Sequence, residues 1–135
     1  LYEMKKKIIW VVDDDAIYQI IINKIIQKSD IFSESASFKN GKEAINALKN
    51  SITDVDSIPD IILLDINMPV MDGWEFMEEM KMIKSQINKK IITYIVSSSI
   101  AIEDKNKSKK FADIFGYISK PVSVNDLLVI ASKQE

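Results

Sequence analysis

Short runs of apolar, largely β-branched residues alternate along this chain with longer stretches in which apolar positions return every three or four residues. The first run, Ile8 to Val12, reads as a central strand buried on both faces and ends in Asp13-Asp14-Asp15. From Ala16 to Lys28 the period becomes helical, with Ile17, Ile20, Ile21 and Ile25 on one face and Lys24 and Lys28 on another. Asp14 or Asp15 can cap that helix. Ser33 to Phe38 alternates weakly and predicts an edge strand. Asn40-Gly41 makes a turn, and Lys42 to Asn50 a short helix with Ala44, Ile45, Ala47 and Leu48 inward. Residues 51–59 read as a surface loop.

The stretch that organises the rest follows. Ile61 to Leu64 is an uninterrupted apolar run that stops on one acid, Asp65, before the turn chemistry of Asn67, Pro69 and Asp72-Gly73. A helix is expected from about Asp72 to Lys84, with Trp74, Phe76, Met77, Met80 and Ile83 as packing residues. Ile91 to Val96 predicts a fourth strand, ending in Ser97-Ser98-Ser99. Glu103 to Lys110 is charged with almost no apolar stripe, so a helix there is held by little buried area and moves easily. Phe115 to Ile118 predicts a fifth strand, followed by Ser119-Lys120-Pro121. Val122 to Ser132 closes the chain as an amphipathic helix with Val124, Leu127, Leu128 and Ile130.

Five strands alternating with five helices imply an α/β domain with a parallel sheet covered on both faces. Chemistry in such a sheet gathers at the carboxyl ends of the strands. There the chain offers Asp13 and Asp14, Asp65, Ser97 and Lys120. Composition narrows what they can do. The 135 residues are 47% apolar and 28% charged, which suits one globular domain. Eighteen basic against 20 acidic residues give a net charge of -2, which argues against a general nucleic-acid binder. All the basic residues are Lys; without Arg, bidentate base recognition loses its usual donor. Without His or Cys the chain has no zinc site of the usual kind, no imidazole base, no thiol nucleophile and no disulfide, which fits a reducing, cytoplasmic setting. No apolar run approaches the ~20 residues that span a bilayer.

Clustered carboxylates repel one another unless a cation sits among them. All the available ligands are hard oxygens, so Mg²⁺ is the natural ion. An ionised carboxylate can attack phosphorus to form an acyl phosphate, and it needs no general base. An ammonium and a hydroxyl nearby would neutralise and hydrogen-bond the phosphoryl oxygens.

These motifs closely resemble the receiver (CheY-like) domain of bacterial two-component response regulators. The resemblance is carried in order by Val11-Val12-Asp13-Asp14, by Asp65-Ile66-Asn67-Met68-Pro69-Val70-Met71-Asp72-Gly73, by Ser97 after an apolar strand, and by Gly116-Tyr117-Ile118-Ser119-Lys120-Pro121. It implies a flavodoxin-like, doubly wound sheet of strand order 2-1-3-4-5, with residues 6–133 as the receiver unit. Residues 1–5 would be an expression remnant or a disordered lead-in. It implies Asp65 as phosphoacceptor, Asp13, Asp14 and Asp65 as metal ligands with the Asn67 carbonyl, and Lys120 on the phosphoryl group, its bond to Pro121 being cis. Ser97 matches a switch hydroxyl where Thr is commoner, and Tyr117 the aromatic that turns inward with it. Asp15 would be a helix cap.

The implied function is Mg²⁺-dependent transfer of a phosphoryl group from a sensor histidine kinase, or a phosphotransfer protein, to Asp65. The chain would then be a signalling module rather than an enzyme, although it takes part in its own phosphorylation and dephosphorylation. The response would be a changed α4-β5-α5 surface for a downstream protein target, with no direct nucleic acid, no membrane, and a monomer or weak homodimer. Rival readings fit less well. An aspartyl phosphatase usually places a second Asp where Asn67 stands, and carries a cap domain for which there is no room. A flavin carrier would need a phosphate-cradling loop where the first acids are. A receiver-shaped interaction module that is never phosphorylated would have lost site residues, and none is lost.

Overall fold

The computed structural model describes residues 6–98 and 101–132. The expectation for residues 1–5 lies outside the described residues. Within them the chain runs β1 (Ile8–Val12), α1 (Ala16–Ser29), β2 (Glu34–Phe38), α2 (Gly41–Asn50), β3 (Ile61–Leu64), α3 (Gly73–Ile83), β4 (Ile92–Ser97), α4 (Ile102–Ser108), β5 (Ile114–Ser119) and α5 (Val124–Ser132). Short 3₁₀ turns at Val55–Ser57 and Lys84–Gln86 precede β3 and follow α3. All strand pairs are parallel, in the order β2-β1-β3-β4-β5, so the expected flavodoxin-like topology is the one found.

Alternation along the strands sorts the core into two layers. Trp10, Val12, Ile62, Leu64 and Ile95 meet α2 and α3 through Ile45, Leu48, Phe76, Met77 and Met80. Ile9, Val11, Ile61, Leu63, Tyr94 and Val96 meet α1 and α5 through Ile22, Ile26, Leu127 and Ile130. Continuous apolar runs were needed in β1, β3 and β4 because both faces of each strand are covered. β2, at the edge, alternates and is mostly exposed.

Two helices are rotated from their expected faces. α1 buries Ile22 and Ile26, whereas Ile17, Ile20 and Ile21 are half or more exposed. Its six isoleucines spread over most of the helix circumference, with Ile17 and Ile20 beside Lys24, Gln27 and Lys28, so spacing alone did not single out the buried side. In α5, Leu127 and Ile130 are buried but Val124 and Leu128 face out. That helix also begins two residues later than expected, because Ser123 caps it. Its hydroxyl accepts from the Asp126 N–H (3.0 Å) while the Asp126 carboxylate accepts from the Ser123 N–H (2.9 Å). α4 buries only Ser108, in keeping with its missing apolar stripe. Among the described residues no helix is long and apolar enough to cross a membrane.

Candidate functional site

The sheet register brings the acids together. Val12 lies opposite Leu64 in the β1–β3 ladder, so the next residue of each strand, Asp13 and Asp65, emerges at the same level. The backbone locks this level: Asp65 N–H donates to the Val12 carbonyl (2.9 Å) and Asp13 N–H to the Phe38 carbonyl (2.9 Å). Carboxylate oxygens of Asp13, Asp14 and Asp65 all lie within 4.8 Å of one another. Asp13 is 2% exposed and Asp14 is open to solvent. Asp15 is a cap, its carboxylate accepting from the Ile17 and Tyr18 N–H groups at 3.0 and 3.1 Å. The triplet thus divides into two acids of the cluster and one that starts α1.

Lys120 enters from the far side. Its N–H donates to the Ser97 carbonyl (3.0 Å), continuing the β4–β5 ladder, and its ammonium sits 2.8 Å from Asp13 Oδ2. The Lys120–Pro121 bond is cis, as the resemblance implied. Ser97 is buried at the end of β4, one residue further along its strand than the partner level of Asp65. Asn67 is exposed in the loop two residues after Asp65. Tyr117 stands apart from the acids. It is half-buried on β5, its hydroxyl hydrogen-bonded with Ser108 of α4 and donating to the Lys105 carbonyl (3.3 Å).

The electrostatics follow from this crowding. Burial, then the charge of Asp13, push the Asp65 carboxyl up to about 6, against the opposing pull of Lys120 and of the Ile66 N–H donating at 2.9 Å. Burial works against the Lys120 ammonium, but its hydrogen bond to Asp13 and the charges of Asp13, Asp65 and Asp15 outweigh it and raise its pKa. Three carboxylates with one ammonium leave the site short of positive charge. The set fits a hard divalent cation, with Asp13, Asp14 and Asp65 as the residues that would hold it.

The loop after Asp65 is built to hold that acid still. Gly73 opens α3 so close beneath it that a Cβ would come 2.5 Å from the Asp65 carbonyl oxygen and 3.0 Å from the Ile66 Cα. The Gly73 N–H donates to the Ile66 carbonyl (2.8 Å). Asp72 and Glu75 cap α3 reciprocally, at 2.8 and 3.0 Å. Two residues before Asp72, Val70 sits at φ 72°, a left-handed conformation that a β-branched residue adopts only under strain.

Two residues of α1 belong to the site and were not picked out from the sequence. Gln19 Nε2 reaches the carbonyls of Val11 (3.3 Å), Asp13 (3.0 Å) and Phe38 (3.1 Å), bracing the acid turn against β2. The Tyr18 ring lies 4.4 Å from the Lys120 ammonium. A helix that starts right after a strand lays its first turn over that strand's end, and this was the available signal.

A family model described as the response regulator receiver domain matches residues 9–132. The chain is 32% identical over 126 residues to the sensor histidine kinase CheAY of Helicobacter pylori, covering 93% of this chain and 15% of that protein. A two-component response regulator from Cytophaga hutchinsonii superposes with a TM-score of 0.82 at 31% identity, covering 94% of this chain and 95% of that one. The receiver domain of the histidine kinase CKI1 from Arabidopsis thaliana, in complex with Mg²⁺, superposes with a TM-score of 0.78 at 26% identity, covering 94% and 90%. The chain spans 25% of the length of the curated DNA-binding transcriptional regulators it matches.

Proposed function

The chain belongs to the response regulator receiver domain family of two-component systems, and from that premise we propose that Asp65 is its phosphoacceptor. The observation that carries the assignment is the convergence of Asp13, Asp14 and Asp65 within 4.8 Å, with the Lys120 ammonium 2.8 Å from Asp13. Of these acids Asp65 stands at the end of the central strand, half-buried yet reachable, with its carbonyl side clamped by Gly73. We assign residues 6–133 as the receiver unit.

Asp13, Asp14 and Asp65, with the Asn67 carbonyl, would hold Mg²⁺, as the CKI1 receiver does in its complex. When bound, Mg²⁺ supplies the positive charge that keeps Asp65 ionised and neutralises the oxygens of the incoming group. One oxygen of Asp65 attacks phosphorus; the donor's bond to phosphorus breaks and its electron pair leaves with the donor. The Lys120 ammonium passes from Asp13 to a phosphoryl oxygen, and the Ser97 hydroxyl donates to another. Through these contacts the chain takes part in its own phosphorylation and dephosphorylation.

The donor is a sensor histidine kinase or a phosphotransfer protein, acting in the cytoplasm, and the receiver of the signal is a downstream protein. Movement of Ser97 toward the phosphoryl group draws Tyr117 with it and resets the surface of α4, β5 and α5. The test is intact mass after incubation with a small acyl phosphate, with and without Mg²⁺, on the wild type and on Asp65→Ala. One phosphoryl adduct that needs both Mg²⁺ and Asp65 is expected. An adduct that survives Asp65→Ala would move the acceptor elsewhere. No adduct from either a small donor or a phosphorylated kinase would favour a pure interaction module.

A further inference from the structure

A lysine that neutralises a phosphoryl group must first be held near the site without being consumed by it. In this structure Lys120 has two neighbours that hold it. One is the Asp13 carboxylate at 2.8 Å, and the other is the face of the Tyr18 ring, 4.4 Å from ring centre to ammonium. The separation is well inside the range for attraction between a cation and an aromatic face. The ring reaches Lys120 from the first turn of α1 and packs against the apolar layer that includes Val11, Ile118 and Val122. It is therefore fixed by the core rather than by Lys120 itself.

From this geometry we propose that Tyr18 is a positioning residue for the phosphotransfer: its ring holds the Lys120 ammonium while Lys120 exchanges Asp13 for a phosphoryl oxygen. The inference rests on the assignment of Asp65 as phosphoacceptor. A cation held by the acid cluster draws on the negative charge of Asp13, so occupation of the cluster weakens the Lys120–Asp13 pair. An ammonium released there would swing into solvent on its flexible stem. The ring offers a hold that competes with neither the cation nor the phosphoryl oxygens, because its face attracts the ammonium without supplying a ligand to the cation or a hydrogen bond to the phosphoryl group. Tyr18 forms and breaks no bond.

The Tyr18 hydroxyl is buried and has no hydrogen-bond partner among the described residues, so the ring face, not the phenol oxygen, makes the contact with Lys120. Burial, with the nearby charges of Asp13 and Asp65, also raises its pKa. A phenol donating to the phosphoryl group is the competing account, and the variants separate the two.

The experiment times adduct formation with a small acyl phosphate at saturating Mg²⁺ for wild type, Tyr18→Phe, Tyr18→Met and Tyr18→Leu. The same tyrosine changes are repeated on Lys120→Met, with thermal unfolding as the check on folding. Tyr18→Phe is expected within about twofold of wild type, while the ringless variants fall about 3- to 10-fold. On the Lys120→Met background they should cause no further loss. If that background reacts too slowly to time, affinity for beryllofluoride with Mg²⁺ replaces the rate in the same cycle. Equal loss in Tyr18→Phe would transfer the role to the hydroxyl and overturn the proposal. So would unchanged rates in the ringless variants, or the same loss with and without Lys120. Absence of an adduct on the wild type would instead remove the phosphoacceptor assignment, and this inference with it.

Discussion

The two flanks of the sheet are held by different means. Around the ends of β1 and β3, each reactive group is pinned by backbone. Asp13 and Asp65 follow paired strand residues, Gln19 ties three carbonyls, and Gly73 closes on Asp65 without room for a methyl group. At α4, little apolar surface is buried. α4 contributes only Ser108 to the interior, and the described links to β5 run through the Tyr117 hydroxyl and the Lys105 ammonium 5.9 Å over the Tyr117 ring. Lys120 joins the two flanks, standing at the end of β5 with its ammonium on Asp13. The contrast separates two demands. Phosphoryl transfer needs groups held to fractions of an ångström, and a response needs an element whose alternatives differ by little free energy.

The largest expected effect breaks the rigid flank. Gly73→Ala puts a methyl group where the Asp65 carbonyl stands, so the loop must shift. We expect a loss of about 2–4 kcal/mol in chemical denaturation, with adduct formation slowed on the order of tenfold or more. A variant that folds and phosphorylates like the wild type would show that the loop yields and the flank is not rigid.

A smaller effect tests the charge balance that the rigid packing enforces. Asp65 titrates at about 6 when folded against 3.8 ordinarily, so the folded state holds this proton more tightly than the unfolded state. Stability from this group is therefore greatest at low pH and falls as pH rises from about 4 to 6. At pH 7.5 Asp65→Asn should be more stable than wild type by about 1–2 kcal/mol, allowing for solvent screening, and the difference should vanish below pH 4. Mg²⁺ should restore the wild type at pH 7.5 and do little for the variant. A wild-type melting temperature that rose through pH 4–6 relative to Asp65→Asn would contradict the crowding argument.

The smallest effect belongs to the loose flank. Ser108→Ala removes the hydroxyl that meets Tyr117, and should cost only about 0.5–1.5 kcal/mol. Hydrogen exchange should quicken in α4 and leave β1 and β3 unchanged, with adduct yield unaltered. A global loss as large as that of Gly73→Ala would erase the distinction between the flanks.

Much of this was legible in the residues. Uninterrupted runs such as Ile61–Leu64 marked strands covered on both sides, and turn residues bounded them. The parallel alternation then placed Asp13, Asp65, Ser97 and Lys120 at one edge. The bare charge of residues 103–110 marked the weakly buried helix. The face of α1 was not legible: with isoleucine at 17, 20, 21, 22, 25 and 26, only contact with the sheet chose Ile22 and Ile26. Likewise, Asp14 and Asp15 could each have capped α1 until the backbone turned Asp15 toward Ile17 and Tyr18.

Local chemistry therefore determined the elements, their order and the reactive groups at their ends, because period and turn preference act within a few residues. Only the tertiary structure decided the level at which two strands end, the face that the isoleucine-rich α1 turns inward, and the approach of the Tyr18 ring to Lys120. Those depend on packing between segments far apart in the chain, and no local pattern carries that information.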